Sequence, residues 1–412
     1  MEQIKVAVVG AGAAGLMAAY QAAVHGAEVF LFERNNQIGK KILITGKGRC
    51  NLTNIKDISE FIENTPGNGK FLYSALTSFD NMQLISFFKD LGVETKVERG
   101  GRVFPRSDKS SDIINAFEKA ISRSHVKIYY KMRAKELIIR VGNIQGIRFF
   151  GNNTPFHCDK VIVATGGISY PSTGSTGDGY NLARQAGHTI TDITPSLVPL
   201  IVKENWAKHL QGLTLKNVKV TSYEENNKIE SQFGEMLFTH FGVSGPIILS
   251  LSRKIIDHLD KKVSISINLK PALNRTQLDQ RLLKDFKHKH KKRFKNSLDA
   301  LLPKKLIPVF IDLTGIDPEK PVNQITKFDR QIIIDKLTDL RLNITGCIKE
   351  QAIVTRGGLS VKEINPKTME SLLVKGLYFA GEVLDIDGLT GGYNLQAAFS
   401  TGYLAGLNSA IP

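Results

Sequence analysis

The spacing of apolar residues changes early in the chain. A continuous apolar run at 6–9 predicts a buried strand, and helical spacing of apolar positions over 13–25 predicts a helix that ends at Gly26. A second apolar run at 28–32 predicts another strand. Because parallel strands need a helical crossover between them, this stretch predicts a right-handed strand–helix–strand unit.

Farther along, the pattern changes twice. Alternation over 124–150 predicts a meander of short strands, and 160–164 predicts another buried parallel strand. After about residue 193, β-branched alternation predicts a β-rich region, followed by a basic helical pattern over 275–306. We expect a discontinuous α/β domain that holds an insert. The predicted bounds are 1–192 and 356–412 for the α/β domain, 193–274 for the β-rich domain, 275–340 for a basic helical subdomain and 341–355 for a return strand.

The composition is that of a globular protein, and its charge limits the classes of partner. Of the 412 residues, 42% are hydrophobic, which excludes a disordered or fibrous chain. The net charge of +16 means that nucleic acid, an anionic membrane surface or a polyanionic cofactor has to be considered. Three cysteines without a C-x-x-C pair cannot build a disulfide framework or a four-thiolate metal site, so a cytoplasmic location is expected.

One uncharged stretch, 6–27, is long enough to span a bilayer. It contains four glycines and has no basic flank, and its apolar pattern changes from strand to helix within it. We therefore interpret it as strand, glycine turn and helix, and we expect no stable membrane association.

Half of the net charge lies in the segment 281–305, which has ten lysines and arginines and two acidic residues. Phe286 and Phe294 are its only aromatic residues, a small supply for stacking on bases. A solvated helical face is the favoured interpretation over a polyanion site. Nucleic acid is thus not the expected partner, and any RNA binding should be weak, independent of sequence and sensitive to salt.

The first strand–helix turn carries a glycine pattern with a known mechanism. Gly10, Gly12 and Gly15 have the G-x-G-x-x-G spacing, which allows a tight turn, close approach of a pyrophosphate and close helix–sheet packing. The helix start supplies free N–H groups for the phosphates. Glu33 ends the second predicted strand, where a carboxylate accepts hydrogen bonds from an adenosine ribose. The pattern predicts a Rossmann-like dinucleotide site.

The C-terminal part of the chain favours FAD over NAD. An apolar strand ends in Gly381 and Glu382, which places a carboxylate where cofactors bind in open α/β sheets. The glycines at 391–392 then open another predicted helix, a plausible seat for the flavin N1–C2=O edge. Two cofactor-contacting strands from opposite ends of the chain suit a long molecule such as FAD.

Several longer motifs carry a family resemblance. These are GAGAAGLMAA near the start, GKKILITGKGRCNLTN at 39–54, VIVATGGISYPSTGSTGDGY at 161–180, GEMLFTHFGVSGPIIL at 234–249, TRGGLSVKEI at 355–364 and GEVLDIDGLTGGYNLQAAFSTG at 381–402. The sequence resembles, nearly end to end, a family of bacterial FAD-containing oxidoreductases that includes aminoacetone oxidases and dehydro-bile-acid reductases. The resemblance implies FAD and an inserted domain, but no specific substrate.

The resemblance also implies a set of cofactor-binding residues. The pyrophosphate and ribose contacts fall near the glycine motif, the ribityl and flavin contacts on 40–51 and 381–395, and a backbone contact to adenine on Ala134. The implied residues are Gly10, Gly12, Ala13, Ala14, Gly15, Glu33, Arg34, Lys40, Lys41, Gly48, Arg49, Cys50, Asn51, Ala134, Ala164, Thr165, Gly166, Gly167, Gly381, Glu382, Gly392, Asn394 and Leu395.

Catalytic residues are less clearly marked. His240 and Arg356 are weak candidates as a proton donor and as a group that holds a substrate carboxylate, and Tyr170 follows a glycine turn that can approach the active site. For His240 a structural hydrogen bond is at least as plausible, for Arg356 a plain surface arginine is favoured, and Tyr170 has no assigned chemistry. Cys50 lacks a partner cysteine nearby and is favoured as a packed residue over a redox thiol. No metal-ligand spacing is present.

These patterns predict an FAD-dependent oxidoreductase that transfers a hydride between flavin N5 and a small organic substrate. Both an amine-oxidase-like and an NAD(P)H-dependent reductase-like reaction stay open, as do the electron acceptor and the oligomeric state. Only one dinucleotide cradle has its full context, so NAD(P)H is expected to bind transiently if it acts. The alternative is an RNA-associated flavoprotein or RNA-binding module that uses the basic segment.

Overall fold

A computed structural model of the protein describes residues 3–411. The chain forms two compact units: unit 1 comprises Met1–Ser196 and Ala352–Pro412, and unit 2 comprises Leu197–Gln351. These limits lie four residues from the predicted boundaries after 192 and before 356 (196 − 192 and 356 − 352). The predicted subdivision of the insert stays a prediction.

The strands and helices are as follows. The strands are β1 (Lys5–Val9), β2 (Glu28–Phe32), β3 (Thr53–Asn54), β4 (Thr95–Glu98), β5 (Arg102–Pro105), β6 (Lys127–Tyr129), β7 (Ala134–Arg140), β8 (Asn143–Phe149), β9 (Phe156–His157), β10 (Lys160–Val163), β11 (Thr194–Ser196), β12 (Leu200–Val202), β13 (Thr214–Glu224), β14 (Asn227–Phe238), β15 (Gly242–Ser244), β16 (Val263–Asn268), β17 (Leu340–Cys347), β18 (Val354–Arg356) and β19 (Leu377–Phe379). The helices are α1 (Ala13–Val24), α2 (Lys40–Ile44), α3 (Ile58–Glu63), α4 (Tyr73–Ser78), α5 (Asn81–Asp90), α6 (Ser110–Arg123), α7 (Asp178–Gln185), α8 (Asn205–His209), α9 (Pro246–Ile255), α10 (Arg275–His288), α11 (Leu306–Thr314), α12 (Lys327–Thr338) and α13 (Tyr393–Ser409).

Unit 1 is built on a parallel sheet with the strand order β19-β10-β1-β2-β6. The central strands are continuous apolar runs because both faces of the sheet are covered, as parallel sheets require. Helix α1 provides the crossover between β1 and β2. The predicted α/β fold is confirmed, and the carboxyl ends of the parallel strands meet at one edge of the sheet.

The predicted meander over 124–150 needs one correction. Of the three predicted strands, β7 and β8 pair antiparallel, and β9 adds a third antiparallel strand next to β8. By contrast, β6 pairs parallel with β2 at the edge of the main sheet. Helix α6 precedes β6 and provides the crossover that a parallel neighbour needs. A three-residue strand carries too little alternation to show which sheet it joins.

Helices α1 and α13 pack directly against each other in unit 1. A Cβ atom added at Gly402 would overlap the carbonyl oxygen of Ala14, and one at Gly406 would overlap that of Ala18. Because these pairs rise together along both helices, the helices run parallel. Two glycines one turn apart therefore allow the backbones to approach more closely than any larger residue would permit.

Gly402→Ala is expected to destabilise unit 1 by about 1–3 kcal/mol, since the added methyl forces the two helices apart. The free energy of unfolding from urea titration checks this. Gly346→Ala is the matched control: its added Cβ would lie 3.8 Å from the nearest heavy atom, Cδ1 of Ile201, an ordinary contact. Equal unfolding free energies for the two variants would contradict the packing argument.

In unit 2, six antiparallel strands close on themselves in the order β12-β15-β14-β13-β16-β17. Helices α10, α11 and α12 lie between β16 and β17 in the chain and contribute to a core that includes Leu278, Leu282 and Phe310. The basic helical pattern predicted over 275–306 extends too far, because α10 ends at His288 and turns occupy most of the stretch before α11. Like charges at consecutive positions after 286 disfavour continuation of the helix.

The stretch 6–27 forms β1 and α1 and leads to β2. Over residues 3–411, none of the helices has the length and apolar character needed to cross a membrane.

Candidate functional site

The glycine turn between β1 and α1 is shaped to receive a ligand. The Gly10 backbone has φ 100°, and a Cβ there would lie 2.6 Å from the Ala164 carbonyl oxygen. A Cβ at Gly15 would overlap Gly10, whereas a Cβ at Gly12 would meet nothing within 4 Å. Gly12 makes no side-chain cap, and the first turn of α1 has no acidic residue. The open helix start therefore fits a pyrophosphate group.

Glu33, at the end of β2, is buried beside this turn. Its Oε2 accepts a hydrogen bond from the Ala11 N–H at 2.8 Å, and its Oε1 accepts from the backbone N–H and the amide of Asn35. The Met132 N–H donates to the Glu33 carbonyl, which brings the start of β7 at Ala134 alongside. A carboxylate oxygen can accept more than one hydrogen bond, so Oε2 can still receive a ribose hydroxyl.

Arg34 is held by a loop over 171–178. Its guanidinium donates to Thr176 and lies 3.1 Å from Asp178, whose carboxylate also receives two hydrogen bonds of 2.8 Å from Arg133. Burial raises the pKa of Asp178, but the hydrogen bonds and charges of the two arginines outweigh burial and hold it below its usual range. The cofactor role implied for Arg34 stays a prediction.

Glu382 is the centre of a polar cluster at the carboxyl end of β19. Its Oε2 lies 2.5 Å from Lys41 Nζ, and its Oε1 accepts hydrogen bonds from the Ser169 hydroxyl at 2.7 Å and the Thr355 N–H at 2.9 Å. Lys41 also donates to Ser169 Oγ at 2.6 Å. We call these four residues the carboxylate hub. It joins segments that lie far apart in the sequence.

The hub keeps its carboxylate charged. Burial raises the pKa of Glu382, but Lys41, Ser169 and the Thr355 N–H outweigh burial and hold it below its usual range. The Thr355 hydroxyl accepts hydrogen bonds from the N–H groups of Ile168 and Ser169, which fixes the turn after β10. The hub therefore positions the residue after Ser169 and the residue after Thr355.

Two of the catalytic candidates, Tyr170 and Arg356, directly follow residues of the carboxylate hub. Tyr170 follows Ser169 and adopts the left-handed backbone conformation, with φ 54°. Its ring centroid lies 6.0 Å from Lys41 Nζ, and burial raises the pKa of its hydroxyl. Arg356 follows Thr355 and donates from Nε to the Thr194 hydroxyl at 2.9 Å. Strained backbone of this kind is concentrated at functional sites.

The segment 48–51 packs as a turn. Cys50 is fully buried with φ 59°, and burial raises the pKa of its thiol to about 12, so the thiol stays protonated at neutral pH. Arg49 pairs with Glu98 and Asp108 and lies 4.2 Å over the Phe104 ring. The buried, protonated thiol favours the packing interpretation of Cys50.

The start of α13 has the same open character as that of α1. Gly392, with φ 102°, makes no side-chain cap, and a Cβ there would overlap Thr53. With its amide oriented to suit its neighbours, Asn51 accepts a hydrogen bond of 3.0 Å from the Gly392 N–H. The Asn394 side chain bonds both backbone groups of Gly388 at 2.7 Å, so any contact to a ligand falls to its backbone N–H and that of Leu395.

The structure brings most of the predicted residues together within unit 1. The strand ends and helix starts at one edge of the parallel sheet carry the glycine motif, Ala164, Thr165, Gly166, Gly167, Gly381 and Glu382, with Lys40 and Lys41 on α2. His240 lies in unit 2, exposed in the turn between β14 and β15. No sequence pattern marks a role for Thr355 or pairs Arg133 with Asp178, because each contact joins residues that lie far apart in the sequence.

Among residues 3–411, no group of three or more histidine, cysteine or acidic side chains could hold a metal ion.

The sequence matches the family described as HI0933-like protein Rossmann domain over residues 4–408. It is 35% identical to the 3-dehydro-bile acid delta(4,6)-reductase of Clostridium scindens, over 98% of this chain and 99% of that protein. It is 33% identical to the ribosomal RNA dihydrouridine synthase of Haemophilus influenzae, over 97% of each chain.

Among solved structures, the 3-ketosteroid delta1-dehydrogenase of Sterolibacterium denitrificans matches with a TM-score of 0.55, at 13% identity and with 100% of each chain covered. This likeness concerns the fold alone. The family resemblance predicted from the motifs is confirmed by the match over residues 4–408 and by the full-length reductase relative. The chain therefore belongs to the HI0933-like family of Rossmann-domain proteins and is an FAD-dependent oxidoreductase.

Proposed function

We propose that the protein reduces a carbon–carbon double bond conjugated with a carbonyl group of a small organic substrate, by hydride transfer from flavin N5. The name of the bile acid relative describes reduction of double bonds in a molecule with a 3-oxo group. Dihydrouridine formation likewise saturates a ring double bond of uracil that is conjugated with a carbonyl. The proposal is carried by this one observation: two full-length relatives with very different substrates share one bond change.

FAD fits the residues of unit 1. We assign the pyrophosphate to Gly10, Gly12 and the open start of α1, and the adenosine ribose to the buried carboxylate of Glu33. The backbone of Ala134 suits adenine, and the open start of α13 suits the pyrimidine edge of the flavin, where negative charge collects on reduction. When bound, FAD supplies the hydride.

Besides the hydride, such a reduction requires a proton for the second carbon of the double bond. The hydride goes to the carbon farther from the carbonyl, and the neighbouring carbon must receive a proton to complete the new C–H bonds. We assign this donor role to Tyr170, because burial keeps its hydroxyl protonated at neutral pH and the carboxylate hub holds the turn that carries it. Solvent then returns a proton to the phenolate.

The reaction is tested with the holoenzyme reduced by dithionite under argon and mixed with 2-cyclohexenone or testosterone. We expect the flavin absorbance to return, and in D₂O, where the N5 hydrogen of the reduced flavin also exchanges, the product should carry one deuterium on each carbon of the former double bond. Flavin that stays reduced until air is admitted would contradict the proposed reaction. Flavin bleaching by aminoacetone alone would favour an amine-oxidase reaction instead.

NAD(P)H is expected to reduce the flavin with weak affinity and modest preference between the two nucleotides. A tight nicotinamide site needs its own phosphate cradle, and the only strand–turn–helix cradle in the described chain is the one assigned to FAD. Anaerobic stopped-flow bleaching against NADH and NADPH concentration measures this. Saturation at about 1–10 μM with strong preference for one nucleotide would show a dedicated site.

A second candidate is reduction of uracil within RNA. It is favoured by the 33% identity to the ribosomal RNA dihydrouridine synthase along the full chain, and it requires the same bond change. Mass spectrometry of ribosomal RNA incubated with holoenzyme and NADPH would detect dihydrouridine. Dihydrouridine in the RNA with no turnover of 2-cyclohexenone or testosterone would replace the small-molecule proposal by this one.

A further inference from the structure

The basic segment of unit 2, residues 281–305, is only partly neutralised. Three of its cations pair with acidic side chains: Arg281 with Asp285, Lys289 with Asp299 and Lys295 with Glu319. By contrast, several exposed lysines of the segment, among them Lys284, Lys287 and Lys291, form no ion pair with any residue that the structure describes. The segment therefore presents positive charge that the protein itself leaves uncompensated.

Two of these lysines share one side of helix α10. Leu278, Leu282 and Phe286 mark the face of α10 that packs into the core of unit 2. At 100° per residue, Lys284 and Lys287 project from the opposite face, and Lys291 follows three residues after the helix ends at His288. The result is a row of positive charge that begins with two lysines about 4.5 Å apart along the helix axis and continues past the helix end, which suits a chain of phosphates.

An exposed aromatic side chain lies on the neighbouring helix α12. Helix α12 packs antiparallel on α10, since Arg330 bonds Asp279 at 2.7 Å and Asp335 pairs with Arg275 one turn away. This register places Phe328, at the start of α12, level with 281–282 of α10. Phe328 is 74% exposed.

The sequence alone does not show that an exposed aromatic residue lies near the basic segment. The two aromatic residues within the basic segment, Phe286 and Phe294, are both buried and unavailable for stacking. Phe328 lies more than twenty residues beyond the segment and comes alongside only because α10 and α12 pair.

The chemistry of the surface favours nucleic acid over a membrane. A helix that binds a membrane surface turns a wide apolar face outward, but the apolar face of α10 is buried in the core. Only Leu283 and Phe328 are exposed apolar residues at this place. A single aromatic ring flanked by lysines is instead the combination that stacks on an unpaired base and contacts the flanking phosphates.

We propose that Lys284, Lys287, Lys291 and Phe328 form a binding surface for single-stranded RNA, with the lysines on phosphates and Phe328 stacked on a base. The surface is independent of the reaction proposed above, because binding needs no turnover. If uracil in RNA is the substrate, this surface is where the RNA is held.

The test uses the FAD-loaded full chain and a fluorescent single-stranded RNA of about 15 nucleotides, followed by anisotropy at about 50 and 200 mM salt. Lys284→Glu/Lys287→Glu should weaken binding about tenfold or more. The matched control, Lys89→Glu/Lys119→Glu, makes the same charge change at exposed lysines on α5 and α6 and should weaken binding less than about twofold.

Phe328→Ala separates stacking from simple charge attraction. It should weaken RNA binding about fivefold or more while leaving binding of heparin, a polyanion without bases, unchanged. Equal losses in the lysine pair and its control, or an unchanged RNA affinity in Phe328→Ala, would overturn the proposal. Binding to phosphatidylserine vesicles that depends on Phe328, without binding to RNA, would assign the surface to membranes and overturn it as well.

Discussion

Replacing Tyr170 with phenylalanine is expected to slow reduction of a conjugated ketone by about 10²- to 10⁴-fold, while FAD stays bound. The change removes one hydroxyl and keeps the ring, so the packing of the turn after β10 is preserved. The lost hydroxyl is the one whose pKa burial raises, and the ring that carries it lies 6.0 Å from Lys41 Nζ of the hub. The loss should fall on the half-reaction in which the substrate takes up a proton.

The two half-reactions are measured separately in stopped flow under argon. Reoxidation of the dithionite-reduced flavin by 2-cyclohexenone should slow, and reduction of the oxidised flavin by NADPH should change less than about threefold. Tyr73→Phe is the matched control, since Tyr73 is exposed at the start of α4 in the same unit. A Tyr170→Phe variant that reoxidises as fast as the control would assign the proton to another donor.

Lys41→Met is expected to cost about 2–3 kcal/mol of stability at neutral pH and to weaken FAD binding about tenfold or more, because it leaves the Glu382 carboxylate without its counter-charge. Both side chains of the pair are about four-fifths buried, so solvent compensates only part of the loss. Thermal unfolding followed by flavin fluorescence and fluorimetric titration with FAD measure the two effects.

The stability of Lys41→Met should change with pH in the opposite direction to that of the wild type. In the wild type the pKa of Glu382 lies below its ordinary value of 4.5, so the contribution of the hub is present above pH 4.5 and is lost as pH falls through the lowered pKa. Without Lys41, we expect burial, the largest single influence on Glu382, to raise its pKa above 4.5. The penalty then grows as pH rises through that raised pKa, so the variant recovers towards about pH 5.

Two further variants separate charge from shape. Glu382→Gln keeps the volume of the side chain and removes the charge, and its stability should not show this recovery on acidification. In Lys41→Met/Glu382→Gln the buried charge is gone, so the double variant should be more stable than Lys41→Met alone. A deficit of Lys41→Met that is the same at pH 5 and pH 8 would show that the side chain matters for packing and not for charge.

Local patterns were sufficient for the first half of the site. The glycine spacing, the strand before it and the helix after it lie within twenty residues, and the structure has β1, the turn and α1 where the pattern predicted them. The parallel sheet followed from apolar runs that need cover on both faces. The geometry of a motif whose residues are contiguous in sequence can be predicted from that sequence alone.

Contacts between distant segments could not be predicted in this way. Lys41 and Glu382 are 341 residues apart, and Thr355 is 186 residues from Ser169, so no local spacing signals either contact. The same holds for Asn394, whose side chain bonds Gly388 because of the turn that α13 begins from. Periodicity also cannot show which edge strand joins which sheet, as β6 demonstrates.

The carboxylate hub has a consequence for synthesis of the protein. The N-terminal glycine turn and Lys41 emerge first from the ribosome, but Thr355, Glu382 and α13 belong to the part of unit 1 encoded after unit 2. In the nascent chain, the edge of the parallel sheet that carries the glycine turn therefore stays incomplete, with apolar strands uncovered, until unit 2 has been translated. Unit 2 can fold as a domain during that interval, and FAD can stabilise unit 1 only after residues 352–411 have been made.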